Sequence, residues 1–294
     1  MPAVAEGVRV KSVLVATDLS ATSEKAIRHA IGIARHYDAK LYLVNVVSSV
    51  GFTLAGPNAM NAATEAACRD GHSLESQLLE SGALKGLRHE IIVRAGGDVW
   101  RVLNKVIRQE DVDLVVTGTH GRRGVSKVLL GSVAEQIFRR ADCPVLTVGP
   151  SSYEESQVDG IRTCLFPTDF SEASLGSLPF AISYANQVQA KLVLLHVVRT
   201  PPGPNSFLPA AILSQLQELT PAGTLDVKPD FRVEFCPLGP ISDKILDVAA
   251  TVKAELIIMG LPRAKHAGPA SHKPWTTAYE IVCGAQSGVL SIKK

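Results

Sequence analysis

The stretch VVTGTHGRRGVSKVLLGSVAEQI, residues 115–137, passes from a β-branched apolar run through a glycine-rich and arginine-rich loop into a helical pattern. Gly118, Gly121 and Gly131 all fall within this one connection, and Ser132 stands where the helix begins. Glycine costs backbone entropy, so such a cluster indicates left-handed backbone or close approach of a ligand to the main chain. A buried strand, a glycine loop and a helix in this order indicate one unit of an α/β fold.

Short apolar strands alternate with helical patterns on either side of this stretch. The strands predicted in the first half are residues 12–18, 40–47, 89–96, 113–119 and 143–149. Several are apolar nearly throughout, as are strands of a parallel sheet that is covered on both faces. The segment SEKAIRHAIGIARHY, residues 23–37, places its alanines and isoleucines on one helical face. The alternation predicts a doubly wound α/β domain.

The second half of the chain repeats the pattern of the first. VLVATDLS matches CLFPTDFS, so that Asp169 follows Asp18 by 151 residues, and AKLYLVNVV matches AKLVLLHVV at the same spacing. Further along, DLVVTG matches ELIIMG at a spacing of 142 residues, and ADCPVLTV matches AQSGVLSI at 144. The sequence therefore predicts two tandem doubly wound domains, 1–150 and 158–294, joined by the polar segment GPSSYEESQVDG.

Composition limits the class of protein. The chain has 294 residues, of which 46% are hydrophobic and 20% charged, and its formal net charge is +2. This is the profile of a globular protein, and the apolar runs are too short for a membrane-spanning helix. The weak net charge gives no reason to expect nucleic acid or an anionic membrane as a partner. Because MPAVAEGVRVKS does not read as a signal peptide, we expect a cytoplasmic protein.

A phosphate site is expected where strands end. In an open parallel sheet, ligands bind beyond the carboxyl ends of the strands, where the strand order reverses, and Asp18 and the glycine loop both follow such ends. Gly118 and Gly121 would let backbone amides approach a phosphate. The helix that begins at Gly131-Ser132 offers free N–H groups and a positive dipole end to an anion. Ser132 is expected to cap this helix or to donate its hydroxyl to the same oxygen.

Basic residues accompany the glycines. Arg122, Arg123 and Lys127 lie in the same loop and would add positive charge around a phosphate. Turn and cap roles alone would explain any single glycine in the loop. The set of three, with a serine and after a buried strand, favours phosphate binding.

The spacing Gly118-x2-Gly121-x9-Gly131-Ser132, with Asp18 after the first strand, resembles the universal stress protein family. The resemblance covers essentially the whole chain as two copies. It implies flavodoxin-like domains with strand order 3-2-1-4-5 that bind ATP, here together with Mg²⁺. It also implies a role in the stress response.

The same resemblance assigns nucleotide contacts. Ala16 and Asp18 would lie against adenine and ribose, and Val46 would supply main-chain contacts to adenine. Gly118 and Gly121 would line the ribose and phosphates, and Gly131, Ser132 and Val133 would hold the phosphate chain. Taken alone, Asp18 could instead cap the helix that follows it, and Val46 would be an ordinary core residue.

The second copy departs from the motif. Asp169 and Val197 persist, but Arg263 stands at the position of Gly121, and Trp275-Thr276 stand at the positions of Gly131-Ser132. An indole at that position should block close backbone approach. We therefore expect no ordinary ATP binding in the second copy, which would have a structural or partner-binding role.

No pair of groups stands out as catalytic base and nucleophile. There is neither a Walker A motif nor a GxGxxG after a strand. Cys143 precedes a proline with no histidine in its motif, and the five cysteines are scattered outside any CxxC pattern, as structural thiols are. His120 lies in the glycine loop, where most histidines are simply solvated. No catalytic or metal-ligating residue is assigned.

Three functions remain open. The leading hypothesis is an ATP-binding regulatory protein of the stress response, with an unidentified protein partner. The second is a slow ATP hydrolase or phosphotransferase that uses the same site. The third is an interaction scaffold that does not depend on nucleotide.

The last strand of each copy suggests how the copies associate. Residues 143–148 and 288–292 are short apolar edge strands, and such edges pair readily with other strands. Tethering favours the partner on the same chain. The two halves are therefore predicted to pair, burying Val145, Leu146, Val289 and Leu290, and a homodimer of whole chains is left open.

Overall fold

The computed structural model describes residues 8–19, 23–50, 56–119, 130–149, 160–199, 207–263 and 272–294. They fall into two compact units, one formed by residues 9–149 and the other by residues 160–294. The predicted domain boundaries at residues 150 and 158 lie outside the described residues. No helix in the described part of the chain is long and apolar enough to cross a membrane.

The first unit is a parallel sheet with helices between its strands. In chain order its elements are β1 (Ser12–Ala16), α1 (Glu24–His36), β2 (Lys40–Ser48), α2 (Gly56–Glu80), β3 (His89–Gly96), α3 (Val99–Gln109), β4 (Leu114–Gly118), α4 (Ser132–Arg140) and β5 (Val145–Val148). The strands lie in the order β3-β2-β1-β4-β5, and every adjacent pair is parallel. The predicted order 3-2-1-4-5 is confirmed.

The second unit repeats this architecture. Its elements are β6 (Thr163–Pro167), α5 (Glu172–Gln187), β7 (Lys191–Val198), α6 (Leu208–Glu218), β8 (Asp230–Phe235), α7 (Ile241–Thr251), β9 (Leu256–Leu261), α8 (His272–Gly284) and β10 (Gly288–Lys293). Its strand order is β8-β7-β6-β9-β10, which is again 3-2-1-4-5 within the unit. The predicted tandem α/β fold is therefore confirmed.

The helices form where the apolar period predicts them. In α1 the alanines and isoleucines of the predicted face are all buried. In α3 the buried residues are Trp100, Leu103, Val106 and Ile107, at helical spacing. They pack with residues of β1, β2 and β4 in one hydrophobic cluster.

Unusual backbone conformations occur at matching positions in the two units. Non-glycine residues with positive φ form three pairs: Leu19 and Phe170, Asp38 and Gln189, and Asp111 and Lys253. Left-handed backbone costs a non-glycine residue about 1 kcal/mol or more. Their recurrence shows that the two copies share turn geometry as well as strand order.

A carboxylate anchors the first strand of each unit. The Asp113 carboxylate accepts a hydrogen bond from the Ser12 backbone N–H at 3.1 Å, and the Glu255 carboxylate accepts one from the Thr163 N–H at 2.8 Å. Each bond joins the start of one central strand to the start of its neighbour. The predicted pairing of the two halves through residues 143–148 and 288–292 stays a prediction.

Candidate functional site

The two ends of the glycine loop meet in the first unit. The Gly131 N–H donates to the carbonyl oxygen of Thr119 at 2.8 Å, and Thr119 directly follows Gly118, the last residue of β4. This bond brings the start of α4 to the end of β4. Gly121 and Arg122, with the rest of residues 120–129, lie outside the described residues.

Among the residues that the structure describes, no side chain caps the N-terminus of α4. Gly131 is the N-cap residue, with φ −57° and ψ 147°, and its carbonyl accepts a hydrogen bond from the Glu135 N–H at 2.8 Å. Ser132 is exposed and is the first helical residue, so the predicted capping role of Ser132 is wrong. The first amides of a helix have no partner inside the helix, and without a side-chain cap they can bind an anion.

The backbone of Gly131 does not itself require glycine. A φ of −57° is accessible to every residue type. What glycine provides here is the absence of a side chain beside the helix N-terminus.

The turn after β1 holds Asp18 in place. The Thr17 N–H donates to the Val44 carbonyl at 3.0 Å, and the Asn45 side-chain amide donates to the Thr17 carbonyl at 2.9 Å. The Thr17 hydroxyl oxygen accepts a hydrogen bond from the N–H of Leu19 at 2.9 Å, and Leu19 has φ 60°. The half-buried Asp18 therefore lies in a turn that is held by hydrogen bonds to β2 and by a hydrogen bond within the turn itself. Since α1 begins at Glu24, with N-cap Ser23, Asp18 does not occupy its cap position.

Three predicted contacts share one surface. Ala16, Val46 and Val133 are half-buried, and all three pack against the hydrophobic cluster that contains Trp100 and Leu103. They come from β1, β2 and α4, which are separate in sequence. The structure thus brings together an apolar surface, the Asp18 turn and the uncapped helix N-terminus at one end of the sheet.

Some residues that shape the site were missed by the sequence reasoning. Thr17, Asn45 and Thr119 fix the turn and the loop ends through the hydrogen bonds described above. The available signal was the threonine that precedes the aspartate in both copies. Thr168 repeats the arrangement: its hydroxyl oxygen accepts from the Phe170 N–H at 3.0 Å.

The second unit has a cavity at the corresponding end of its sheet, with a volume of about 790 Å³. It lies at the carboxyl ends of β6, β7 and β9 and against α5, α7 and α8. Asp169 and Val197, the two residues that persist from the predicted motif, both line it. We refer to this space as the second-unit cavity.

The helix after β9 begins earlier than its counterpart. Thr276 corresponds to Ser132, the first residue of α4, but α8 already begins at His272. The four additional residues make about one helical turn, or roughly 6 Å along the axis. The position of Gly131 is thus inside a helix in the second unit. The Trp275 side chain is outside what the structure describes.

One glycine of the motif has a packing role in the second unit. Gly260 corresponds to Gly118, and a Cβ atom on Gly260 would lie 2.2 Å from the Ala173 carbonyl oxygen and 2.5 Å from the Ser177 hydroxyl. Glycine is needed here because the first turns of α5 lie directly on β9. We therefore expect a packing role for Gly118 as well as its predicted nucleotide contact.

The described residues contain no group of three His, Cys, Asp or Glu side chains that could hold a metal. Asp18 is the one carboxylate among the predicted site residues. Mg²⁺ bound with a nucleotide takes most of its oxygen ligands from phosphates and water, so a single carboxylate nearby suits this cation. The donor set at this end of the sheet, free amides and one carboxylate, fits a nucleotide with its Mg²⁺.

Comparison with known proteins finds the universal stress protein family in both halves of the chain. The model of the universal stress protein family matches the chain twice, at residues 9–149 and 160–269. A universal stress protein of Methanocaldococcus jannaschii is 30% identical over 139 residues, which cover 47% of this chain and 81% of that protein. A putative universal stress protein of Staphylococcus aureus is 32% identical over 140 residues, which cover 47% of this chain and 83% of that protein.

Similar structures extend over both units. The crystal structure of a universal stress protein from Archaeoglobus fulgidus is similar with a TM-score of 0.72 and 19% identity, covering 97% of this chain and 99% of that one. A putative universal stress protein from Pseudomonas aeruginosa is similar with a TM-score of 0.65 and 16% identity, covering 97% and 93%. At these identities the likeness shows the fold. With two family matches that together span most of its length, this chain belongs to the universal stress protein family, as a tandem two-domain member.

Proposed function

We propose that the first unit binds ATP with Mg²⁺ and that the chain is an ATP-binding regulatory protein of the stress response. The observation that carries the proposal is the N-terminus of α4, which has no side-chain cap and is held by the Gly131 to Thr119 hydrogen bond beside the end of β4. Membership of the universal stress protein family supports the stress-response part.

The phosphates, the ribose and the adenine of ATP would each contact a different group of residues in the first unit. The N-terminal amides of α4 and the dipole of this helix suit phosphate oxygens. The Asp18 carboxylate, in its fixed turn, would accept hydrogen bonds from ribose hydroxyls. Ala16 offers an apolar surface to the adenine ring, and the main chain of Val46 would supply further contacts to adenine. These groups bind and orient the nucleotide.

A regulatory role follows from what the site provides. The proposed contacts hold phosphates and ribose, but they include no base positioned against a nucleophile. Bound ATP, lying against the N-terminus of α4 and the Asp18 turn, would alter the surface presented to a protein partner. The second unit, in which the helix start is displaced, is proposed to have a structural or partner-binding role.

Isothermal titration of the full chain with ATP and Mg²⁺ tests the proposal, with an expected stoichiometry of one ATP per chain. Gly131→Trp, which copies the second unit, should abolish binding and leave the fold intact, because the backbone at this position suits any residue. Ser132→Ala should weaken binding by about 1 kcal/mol, the scale of one neutral hydrogen bond.

Equivalent substitutions in the two units show which unit binds ATP. Asp18→Asn should weaken ATP binding, whereas Asp169→Asn, at the equivalent position, should leave it unchanged. Two ATP molecules per chain, or equal effects of the two variants, would contradict the proposal. Rapid turnover of the bound ATP would favour the hydrolase alternative.

A further inference from the structure

The second-unit cavity has a more apolar wall than the corresponding place in the first unit. Met259 and Leu261 stand where the first copy has Thr117 and Thr119. Both side chains line the cavity, and they are 4% and 3% exposed. The exchange removes two hydroxyl groups from the end of this strand. A wall of this kind favours hydrocarbon over polar groups.

Helices α7 and α8 also contribute apolar residues to the lining of the second-unit cavity. Ile245 of α7 and Ile281 of α8 line the cavity and are 6% and 2% exposed. The volume of about 790 Å³ is within the range of about 300–1,000 Å³ that is usual for small-molecule sites. The cavity is therefore large enough to hold the apolar body of a small organic molecule.

Two cations lie at the edge of the cavity. Arg263 and Lys294 are exposed and line it, and the Arg263 N–H donates to the Lys294 carbonyl at 3.2 Å, which holds the two residues side by side. Within the part of the chain that the structure describes, neither side chain forms an ion pair or hydrogen bond. Their charge is available to an anionic ligand.

The two carboxylates that line the cavity, Asp169 and Glu172, are stabilised by the N-terminus of α5. One Asp169 oxygen accepts a hydrogen bond from the Ser171 N–H at 2.9 Å, immediately before α5. Glu172 is in the first turn of α5, where the helix dipole favours negative charge. The acidic charge is thus matched by the α5 N-terminus, whereas no described side chain matches the basic charge of the Arg263 and Lys294 side chains.

We propose that the second-unit cavity binds a small hydrophobic monocarboxylate, with its apolar body against Met259, Leu261 and Ile281 and its carboxylate at Arg263 and Lys294. A triphosphate fits poorly, because two cations and two carboxylates line the cavity. The proposal does not depend on ATP binding in the first unit. It gives the second unit a ligand of its own.

Isothermal titration of the full chain with octanoate, with and without saturating ATP and Mg²⁺, tests the proposal. We expect one octanoate per chain and the same affinity in both conditions. The double variant Arg263→Gln/Lys294→Gln should weaken octanoate binding about tenfold, as expected for two partly exposed charge contacts, and leave binding of uncharged 1-octanol unchanged. The control Lys85→Gln/Lys105→Gln removes the same charge from exposed positions of the first unit and should have no effect.

A second pair of substitutions tests the apolar wall. Met259→Thr and Leu261→Thr restore the residues of the first copy and should weaken both octanoate and octanol, with folding checked by circular dichroism. Competition between ATP and octanoate would overturn the proposal, as would octanoate binding that is unchanged in the Arg263→Gln/Lys294→Gln variant. If Asp18→Asn lost ATP binding and still bound octanoate, the result would show that the ATP site of the first unit and the octanoate site of the second unit are independent.

Discussion

Replacing Gly260 by alanine should destabilise the second unit through one backbone contact. The added Cβ atom would lie 2.2 Å from the Ala173 carbonyl oxygen and 2.5 Å from the Ser177 hydroxyl oxygen, whereas real Cβ contacts essentially never fall below 3.0 Å. The contact must open by at least 0.8 Å, from 2.2 to 3.0 Å, and the opposing atom is main chain in the first turn of α5. We expect a loss of about 3 kcal/mol, the upper part of the usual range for overpacking.

The control for this variant is Gly284→Ala. Its Cβ would meet Leu246 Cδ1 at 2.6 Å, but that atom is the end of a flexible side chain and can move. Alanine also stabilises a helix by about 0.5–1 kcal/mol relative to glycine, so the net change should be within about 1 kcal/mol of zero. Glycine to alanine is the same chemical change in both variants, which differ in the opposing atom and in secondary structure, because Gly260 lies in β9 and Gly284 in α8.

Urea unfolding of the full chain measures the two free energies of unfolding, and hydrogen exchange with mass spectrometry locates the change. In Gly260→Ala, peptides from residues 160–294 should lose protection, and those from residues 9–149 should keep it. If Gly260→Ala were as stable as Gly284→Ala, the packing argument would be wrong.

A further variant, Gly118→Ala, tests whether Gly118, the equivalent of Gly260 in the first unit, has a packing role or a nucleotide-binding role. A packing role predicts destabilisation of the first unit, and a purely nucleotide-binding role predicts weaker ATP binding with an unchanged fold.

Two further changes test local electrostatics and capping. Burial, with Lys25 and Arg28 nearby, lowers the pKa of His29 from 6.5 to about 4, so the unfolded chain takes up this proton at a higher pH than the folded one. The stability that neutral His29 provides above pH 6.5 is lost as the pH falls toward 4, and between pH 7 and 5 the free energy of unfolding should fall by about 1–2 kcal/mol more in the native chain than in His29→Gln. Equal pH dependence of the two proteins in urea titrations would contradict this. Asp98 caps α3 by accepting the Arg101 N–H at 3.3 Å, so Asp98→Ala should lower the free energy of unfolding by about 1 kcal/mol, and an unchanged urea midpoint would exclude the cap.

The fold and the location of the site could be predicted from local patterns. Apolar strands alternate with helices of 3.6-residue period, and that alternation allows one kind of sheet with one handedness of connection. The repeat was visible because Asp18 and Asp169 follow matching strands. Strand ends in such a sheet meet at one edge, so the position of Asp18 and of the glycine loop followed from topology alone.

The capping of α4 was not predictable in this way. A serine at a helix start reads as a cap, but Gly131 takes that place because its N–H is bound to Thr119 across the loop. Likewise, Trp275 was read as a replacement for a loop glycine, whereas its position lies inside α8. Both outcomes depend on where a loop closes, and loop closure is decided by contacts between residues far apart in sequence.

By itself, the sequence determined two copies of a doubly wound domain and the end of the sheet where a ligand site is expected, because these follow from residue periodicity and chain connectivity, and the resemblance to the universal stress protein family implied their strand order. Tertiary structure alone decided which backbone amides are free, why Gly260 must be glycine, and that Met259, Ile281 and Arg263 surround one cavity. Gly260 approaches Ala173, and Met259 lines the same cavity as Ile281 of α8, only after β6, β9 and their helices have packed. Steric exclusion and burial act between neighbours in space, and no local pattern of residues encodes them.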